Sequence, residues 1–364
     1  MKEKLNGFHV ALLIFMIELD VTVFMLPRMV AVQIGTNGWL GFLGLSLIAA
    51  FNIWLYRLVY RAGQGRSVFD ISEAVLPKIV LYPLYASLSL LWLGIGAFAG
   101  KSFVLVFQTL SFQTSPPMQI FAVYCLLVYA LLAKDLYSIV KASTVFFLLS
   151  IWMLVLAPYF FKDWSIHRFT AFFFHGTENG HSLSGMLDVY AVFIGYELCV
   201  FLFPFSDAKT KLFKGVFAGH AIITATYLLT ILVSFGFFSF EEVKILQFPL
   251  IHTLEYIEMP FINRVENLVF PFFLFSNLVT TVMFAFAARS ALGRMLPGVE
   301  AKRFALPLAA AVFALGFLPS VFREAAALIR LTYFTETCVA FILPLLLLIL
   351  IKIGGKTSKE ASSR

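Results

Sequence analysis

Long runs of apolar residues, separated by short polar segments, make up most of the chain. A helix needs about 20 mostly apolar residues to cross the hydrocarbon core of a bilayer. By this criterion the pattern predicts ten spanning helices, at residues 8–33, 38–60, 82–110, 117–133, 138–161, 187–206, 214–239, 264–288, 304–320 and 331–352. The first, third and fifth runs are long enough for a tilted or broken helix, and the fourth and ninth are short.

The composition indicates an integral membrane protein. Of the 364 residues, 61% are hydrophobic and 13% are charged, whereas soluble domains contain about 45–50% apolar and about 25% charged residues. We therefore expect a single transmembrane domain over residues 1–364 and no soluble domain. No cleavable signal precedes the first span, so we expect that span to be retained.

The basic residues predict the orientation, because Lys and Arg accumulate on the cytoplasmic side of spanning helices. With the N-terminus in the cytoplasm, most of the 27 basic residues fall in cytoplasmic segments. Ten spans with both termini cytoplasmic fit this distribution best. Two long outer loops result, 162–186 and 240–263. Apolar spacing in the second loop predicts a surface helix, from Val243, Leu246, Leu250, Leu254 and Ile257.

Acidic residues interrupt the first span at Glu18 and the sixth span at Glu197. Each lies about 15 Å from the nearer end of its span, at a rise of about 1.5 Å per residue, so the two interruptions meet near the midplane. An ionised acid at that depth costs about 2.5–3.5 kcal/mol. Two broken, acid-bearing helices in matching halves are typical of inverted repeats with a binding site between them. The repeats would cover residues 8–161 and 187–352.

In the first span, Glu18 and Asp20 are about 200° apart around a regular helix, so both face the interior only if the helix unwinds between them. The β-branched residues Val21 and Thr22 follow, and Pro27 removes a backbone donor, which makes unwinding plausible. Glu18 or Asp20 is then a candidate contact for a cation or an amine. The alternative places Asp20 near the outer surface, at a water-filled vestibule.

In the sixth span, Gly195 permits a break beside Tyr196 and Glu197. Half-helix ends expose amide and carbonyl groups, which can receive the carboxylate and ammonium of a zwitterion. The alternative is a purely structural Glu197, hydrogen-bonded to a neighbouring helix.

Polar residues of two other spans could complete the site. Lys101 either extends outward to the membrane surface or pairs with an acid of the first or sixth helix. Asn277, Thr280 and Thr281 could line the same cavity, although hydroxyl groups in spans commonly bond their own backbone.

The sequence gives no support for metal binding, a cofactor or catalysis. Cys125, Cys199 and Cys338 lie far apart in apolar segments, so we expect buried, inert thiols rather than disulfides or a zinc site. His175 and His181 flank Glu178 at even spacing, but a solvated loop is the favoured interpretation. No nucleophile–base pair and no phosphate-binding glycine loop occurs, so we expect no enzymatic activity.

The chain resembles the B subunit family of spore germinant receptors, a bacterial branch of the amino acid–polyamine–organocation superfamily. The similarity extends over nearly the whole chain and depends on the order and spacing of several motifs. These are Gly35-Thr36-Asn37-Gly38-Trp39, Ser67-Val68-Phe69-Asp70-Ile71, Pro158-Tyr159-Phe160-Phe161, Gly195-Tyr196-Glu197 with Pro204-Phe205, the run Lys209 to Lys214, Pro249, and Arg264-Val265-Glu266.

This resemblance implies a LeuT-like five-plus-five inverted repeat, all-α, with helices 1 and 6 discontinuous. It implies a protein of the inner spore membrane that binds a small nutrient germinant, often an amino acid, and signals through A and C subunits. Nucleic acid is not expected as a partner. One departure stands out, because the family's first helix usually breaks at glycines, whereas this chain has Glu18 to Met25 before Leu26-Pro27. The two acids there would suit a basic or polyamine-like germinant.

Two other functions fit the same sequence. The first is a secondary transporter that couples an amino acid to protons or sodium, with Glu18 and Glu197 as proton carriers. The second is a structural membrane scaffold with a degenerate site. Receptor and transporter share fold and site, so sequence does not separate them.

Overall fold

The computed structural model describes residues 5–362, except 153–155, 157, 158, 160–162, 179, 208 and 258–264. Within this described part the regular structure is helical, with no strand. The α-helices are α1 (Gly7–Glu18), α2 (Leu26–Gln33), α3 (Trp39–Ala62), α4 (Val68–Glu73), α5 (Lys78–Ser111), α6 (Pro117–Leu132), α7 (Leu136–Ser150), α8 (Leu183–Tyr190), α9 (Leu212–Phe237), α10 (Phe240–Ile245), α11 (Pro249–Glu255), α12 (Val265–Met295), α13 (Ala305–Leu315) and α14 (Phe322–Ser362).

The first span is broken, as predicted. α1 ends at Glu18, and Leu19 and Asp20 are extended. Asp20 then caps a 3₁₀ turn, Val21–Phe24, before α2 begins. Because Leu19 and Asp20 are extended and a 3₁₀ turn follows, some backbone N–H and C=O groups here lack the hydrogen bonds of a regular helix. The Asp20 side chain accepts a hydrogen bond from one of these groups, the N–H of Thr22.

The sixth span is also broken. α8 passes into a 3₁₀ turn, Ala191–Phe193, after which Ile194 has a φ of −60° with ψ 133°. Gly195 follows with φ +130°, a conformation that residues with a Cβ rarely adopt. The chain then continues as a 3₁₀ helix, Tyr196–Phe205. Gly195 therefore permits the break in the way that the sequence indicated.

Six helical stretches are long and apolar enough to cross a membrane: 39–62, 78–111, 183–205, 212–237, 269–295 and 322–354. Three shorter apolar helices, α1, α6 and α7, accompany them. The break divides the first span into pieces below the length of a crossing helix. Several of the described segments therefore cross the membrane, and the count of ten stays a prediction.

The broken spans lie inside the protein. α1 packs on α9, α7 and α12, and α5 and α12 form the most extensive helix pair. Residues Val10 to Glu18 of α1 are all buried. By contrast, α14 has the smallest buried share of the candidate spans. Apolar side chains of α14 are thus largely exposed, while the residues at the two breaks are buried inside the protein, where exposed backbone groups would not meet lipid.

Three predictions about individual segments need correction or restriction. The surface helix of the second outer loop is two short helices, α10 and α11, because Pro249 starts a new helix and Phe248 is not helical. Cys338 is exposed, whereas Cys125 and Cys199 are buried as expected. The end of the fifth predicted span, including Pro158, Phe160 and Phe161, lies outside the described residues, as does Arg264.

Candidate functional site

The two helix breaks touch each other. A Cβ atom placed on Gly195 would lie 2.4 Å from Cγ2 of Ile17, one residue before the end of α1. Real Cβ atoms do not approach that closely, so the sixth span needs glycine for its conformation and for this contact. The hypothesis that the breaks converge is consistent with this geometry.

Asp20 is buried and fully occupied by protein donors. Its Oδ1 accepts hydrogen bonds from the backbone N–H and the hydroxyl of Thr22. Its Oδ2 accepts a hydrogen bond of 2.9 Å from the hydroxyl of Tyr333 on α14. Asp20 therefore joins the first span to α14, and both of its oxygens accept hydrogen bonds from protein groups.

Glu18 is buried beside a histidine that the sequence analysis did not single out. Nδ1 of His220, on α9, lies 3.1 Å from Oε2 of Glu18, while Nε2 lies 3.1 Å from the hydroxyl and the carbonyl oxygen of Ser46. Tyr227 donates its hydroxyl to the backbone carbonyl of Glu18. The second carboxylate oxygen, Oε1, has no hydrogen-bond partner within the described part of the chain.

Glu197 is also buried, and its Oε2 accepts a 2.8 Å hydrogen bond from the backbone N–H of Gly195. This carboxyl group therefore bonds its own break rather than a neighbouring helix. Its Oε1 has no partner. A third buried acid, Glu336 on α14, accepts a 3.2 Å hydrogen bond from the indole N–H of Trp92 through Oε1, and its Oε2 has no partner.

Tyr196 takes part in a hydrogen-bonded group that links the sixth span to α3 and α14. Its hydroxyl accepts from the Asn52 amide at 2.8 Å and lies 2.6 Å from the hydroxyl of Tyr190. Asn52 and Tyr56 both donate to the carbonyl oxygen of Ala340. Oδ1 of Asn52 has no partner.

A cavity of about 230 Å³ lies against the first break, on the side of α2 and α8. Its walls come from the first span, α5, α8 and α14. The lining is mainly apolar, with a few polar groups, and consists of Val21, Thr22, Met25, Met29, Gln33, Ser102, Leu187, Asp188, Ala191, Val192, Phe322, Ala326, Ile329, Arg330, Tyr333 and Phe334.

Polar groups stand at two ends of this cavity. At the break, the hydroxyls of Thr22 and Tyr333 both bond Asp20. Farther along α8 and α14, Nε of Arg330 donates to Oδ1 of Asp188 at 2.7 Å. The buried Ser102 hydroxyl, which lines the cavity, has no partner. An apolar chamber with a few polar groups is the usual form of a small-molecule site.

The other predicted site residues surround the breaks without lining this cavity. Thr280 donates to the carbonyl of Ile17 at 2.8 Å and so ties α12 to the end of α1. Asn277 donates its side-chain amide to the carbonyl of Phe273 on its own helix. The hydroxyl of Thr281 lies 2.7 Å from that of Tyr124 on α6.

Lys101 is not exposed at the protein surface, and it pairs with no acid among the described residues. Its side chain is buried, with Nζ 2.7 Å from Sδ of Met118 and 5.6 Å from the ring centroid of Phe121. Lys101 therefore lies on the α6 side of α5, whereas the next residue, Ser102, lines the cavity.

Sequence reasoning missed His220, Tyr333 and Glu336, although each is a polar residue inside an apolar run. Glu336 gave the clearest signal, because an acid in a span is costly. His220 and Tyr333 acquire their roles only through partners more than 200 residues away in the chain. Among the described residues, no group of three His, Cys, Asp or Glu side chains is placed to hold a metal ion.

Comparison with solved structures identifies the fold. A nucleobase-cation-symport-1 family transporter, closed with bromovinylhydantoin bound, matches with a TM-score of 0.62 and 14% identity, over 94% of this chain and 78% of that one. A Na⁺-coupled sialic acid symporter in a substrate-bound outward-open state matches with a TM-score of 0.61 and 13% identity, over 96% and 78%. The predicted LeuT-like fold, with helices 1 and 6 discontinuous, is confirmed.

Comparison of sequences identifies the family. Spore germination protein B2 of Bacillus subtilis (strain 168) is 23% identical over 268 residues, which are 73% of this chain and 72% of the relative. Spore germination protein A2 of the same organism is 22% identical over 324 residues, 87% of each chain. The family model described as Spore germination protein matches residues 4–321. With most of its length covered by that model, this multi-pass membrane protein belongs to the spore germination protein family.

Proposed function

We propose that the protein is the germinant-sensing membrane subunit of a spore germination receptor. It binds a small nutrient molecule, an amino acid in the simplest case, and passes the signal to partner subunits of the A and C types. The observation that carries the proposal is the cavity of about 230 Å³ at the first helix break, lined by Val21 and Thr22. The family membership supports a role in germination.

The cavity suits a ligand with an apolar body and a few hydrogen-bonding groups. Thr22 and Ser102 offer hydroxyls near the break, and Arg330 and Asp188 offer opposite charges farther along α8 and α14. Glu18 and Asp20 are both engaged by protein groups. Neither acid is part of the cavity lining, which favours a neutral or zwitterionic germinant over the polyamine-like one that the acids alone suggested.

In this proposal the remaining predicted site residues do not contact the ligand, but support the segments that line the cavity. Glu18 contacts His220, Asp20 accepts from Tyr333, and Thr280 donates to the end of α1. These three contacts hold the first break in place. The other predicted site residues do not line the cavity, namely Gly195, Tyr196 and Glu197 at the sixth break, Lys101 of α5 and Asn277 of α12. Ligand contact is assigned first to Val21 and Thr22, and the others position the half-helices.

Signalling requires that the ligand favours one conformation over another. The cavity lining includes residues of α2, α8 and α14, so a ligand that contacts all three helices stabilises one arrangement of them. A and C subunits would read the resulting position of α14. We place the protein in the inner spore membrane on its family membership. The distribution of basic residues favours cytoplasmic termini.

The test is a binding screen of amino acids, sugars and nucleosides against the purified protein, by calorimetry and thermal shift. Ala326 lines the cavity, and its neighbour Ala327 is exposed on the same helix. We expect Ala326→Phe to fill the cavity and abolish the binding of any hit, and Ala327→Phe to leave it unchanged. Equal affinity in both variants would place the ligand elsewhere.

The fold likeness to two cation-linked transporters favours one second candidate, an ion-coupled amino acid transporter. Uptake of a labelled ligand into vesicles separates the two functions. Saturable uptake that follows an ion gradient indicates transport, whereas binding without uptake indicates a receptor. If neither binding nor uptake is observed, the structural membrane scaffold becomes the favoured function.

A further inference from the structure

His220 makes contacts with both of its ring nitrogens, and the groups that it contacts determine where the ring protons are. Nε2 lies 3.1 Å from the backbone carbonyl oxygen of Ser46 and 3.1 Å from the hydroxyl of the same residue. Nδ1 lies 3.1 Å from Oε2 of Glu18. Both His220 and Glu18 are buried, so each of these contacts is a hydrogen bond within the protein.

Nε2 of His220 carries a proton, because both groups beside it are acceptors. A carbonyl oxygen has no proton to donate, so the Ser46 carbonyl accepts from Nε2. The Ser46 hydroxyl has a single proton, which is used elsewhere. Thr224 donates its own hydroxyl to the His220 carbonyl at 2.8 Å, and its oxygen lies 2.8 Å from the Ser46 hydroxyl. Thr224 therefore accepts from Ser46, and the Ser46 oxygen is left as an acceptor for Nε2.

A second proton is then required between Nδ1 and Glu18. A neutral imidazole has a single ring proton, and in His220 this proton is on Nε2. Without another proton, Nδ1 and the Glu18 carboxylate would be two acceptors 3.1 Å apart. The contact becomes a hydrogen bond when a proton lies on Nδ1, which makes the ring an imidazolium, or on Oε2, which makes Glu18 a carboxylic acid. Either arrangement adds one proton to a neutral ring and a carboxylate, and the resulting pair has no net charge.

The surroundings of the pair favour this uncharged state. Among the described residues, Glu18 forms an ion-pair contact with His220 and with no other side chain. The neighbouring residues Ser46 of α3 and Thr280 of α12 do not titrate. The titratable groups that face the pair from the packed elements are Tyr227, Asp20, Tyr190, Tyr196 and Glu197. None of these groups becomes positively charged, and an uncompensated charge in a buried site is costly.

We propose that Glu18 and His220 together bind one proton, and that this proton holds the end of α1 against α9. Glu18 is the last residue of α1, and Tyr227 of α9 donates to its backbone carbonyl. Loss of the proton would leave a buried carboxylate facing the lone pair of Nδ1, so the end of α1 would separate from His220. Neither Glu18 nor His220 lines the cavity, so the proton is a ligand distinct from the germinant. The conformation of the first break is thereby linked to pH.

The first experiment compares reversible unfolding of the wild type and Glu18→Gln in detergent, between about pH 7.5 and about pH 9. In the unfolded chain the glutamate is ionised and the histidine is neutral over this range. The folded wild type holds one proton more, so its stability falls as pH rises, and its unfolding equilibrium constant increases up to about tenfold per pH unit. We expect Glu18→Gln to lack this contribution, because its amide N–H donates to Nδ1 and does not titrate.

The control for this experiment is Glu255→Gln, because Glu255 lies 2.9 Å from His252 in a pair whose side chains are both well exposed. We expect this variant to keep the pH dependence of the wild type. If wild type and Glu18→Gln show the same pH dependence, the Glu18–His220 pair holds no additional proton and the proposal is overturned.

The second experiment locates the ring protons by nitrogen NMR of protein labelled in its histidines. The signals of His220 are those that His220→Gln lacks. We expect Nε2 of His220 to be protonated over the same pH range. A proton on Nδ1 together with an unprotonated Nε2 would overturn the proposal, because a neutral ring would then donate to the Glu18 carboxylate without an additional proton. If His220→Gln does not fold, the comparison of wild type with Glu18→Gln still decides the question.

Discussion

The carboxylate of Glu18 and the imidazole of His220 lie 3.1 Å apart at the end of α1, where the first helix break begins. Both side chains are almost completely buried, and 202 residues of sequence separate them. Nε2 of His220 contacts Ser46, so the ring connects α1, α3 and α9 at one point. An acid that ends a helix inside a membrane protein thereby acquires the partner that its burial requires.

Replacement of His220 by Phe is expected to destabilise the protein by about 3–5 kcal/mol, because it leaves the Glu18 carboxylate buried and unpaired. The matched control is His252→Phe, since His252 pairs with Glu255 at 2.9 Å on an exposed surface. That change is expected to cost at most about 1 kcal/mol. Reversible unfolding in detergent measures both, and equal losses would contradict the assigned role of the Glu18–His220 pair.

Gly195→Ala is expected to cost about 1–3 kcal/mol or more, because the new Cβ strains a backbone with φ +130°. The same Cβ would also overlap Ile17. Gly44→Ala serves as control, since a Cβ on that glycine of α3 meets nothing within 4 Å. The control is expected to be neutral or to stabilise by at most about 1 kcal/mol. If Gly195→Ala unfolded like the control, the break would not require glycine.

Tyr333→Phe removes the hydroxyl that donates to Asp20 and leaves one carboxylate oxygen without this partner. A hydrogen bond to a charged group contributes about 1.5–3 kcal/mol, so we expect a stability loss in that range. Because Tyr333 lines the cavity, ligand affinity should fall as well. Tyr129→Phe, at an exposed position of α6, is the control for loss of a hydroxyl alone. Unchanged ligand affinity in Tyr333→Phe would show that the Tyr333–Asp20 hydrogen bond is not needed for ligand binding.

The Asp188–Arg330 ion pair is expected to matter for binding more than for stability. The Arg330 side chain is 59% exposed, and such pairs contribute about 0–1 kcal/mol to folding. Arg330→Gln should therefore leave the melting temperature nearly unchanged, while it weakens a ligand with a carboxylate. Calorimetric titration at two salt concentrations checks this, because screening should reduce the difference between wild type and variant. A salt-independent difference would argue against charge recognition.

Asp135 caps α7 by accepting from the backbone N–H of Ser138, and its Oδ1 also accepts from the Ser138 hydroxyl at 2.7 Å. This hydrogen bond, aided by backbone N–H groups and opposed by partial burial, lowers the pKa of Asp135. Because the pKa of Asp135 is lower in the folded protein than in the unfolded chain, its ionised form stabilises the fold at pH values above the ordinary Asp pKa. That contribution is lost as pH falls through the folded-state pKa.

Asp135→Ala is accordingly expected to cost about 0.5–2 kcal/mol at neutral pH. Asp135→Asn should retain most of the cap and lose the acid dependence, because an amide oxygen accepts the same bonds without titrating. Unfolding measured at neutral and acidic pH distinguishes the three proteins. If wild type and Asp135→Asn lost the same amount of stability at acidic pH, ionisation of Asp135 would not be the cause of that loss.

The sequence determined the class of protein and the places where its helices break. Runs of apolar residues require a membrane, since no soluble core could absorb them. Acids inside two of those runs, at Glu18 and Glu197, identified the breaks because a carboxyl group in lipid is too costly without a special environment. Gly195 was recognisable because only glycine readily supplies the backbone conformation that its break needs. These inferences depend on local composition alone.

Only the tertiary structure decided what those acids contact. Asp20 could have faced a ligand, but Tyr333 and Thr22 occupy it. Lys101 could have paired with an acid, but its helix turns it towards Met118. A hydrogen bond depends on the rotation and depth of each helix relative to its neighbours. Packing of side chains far apart in the sequence fixes both, and a linear pattern of apolar positions does not encode them.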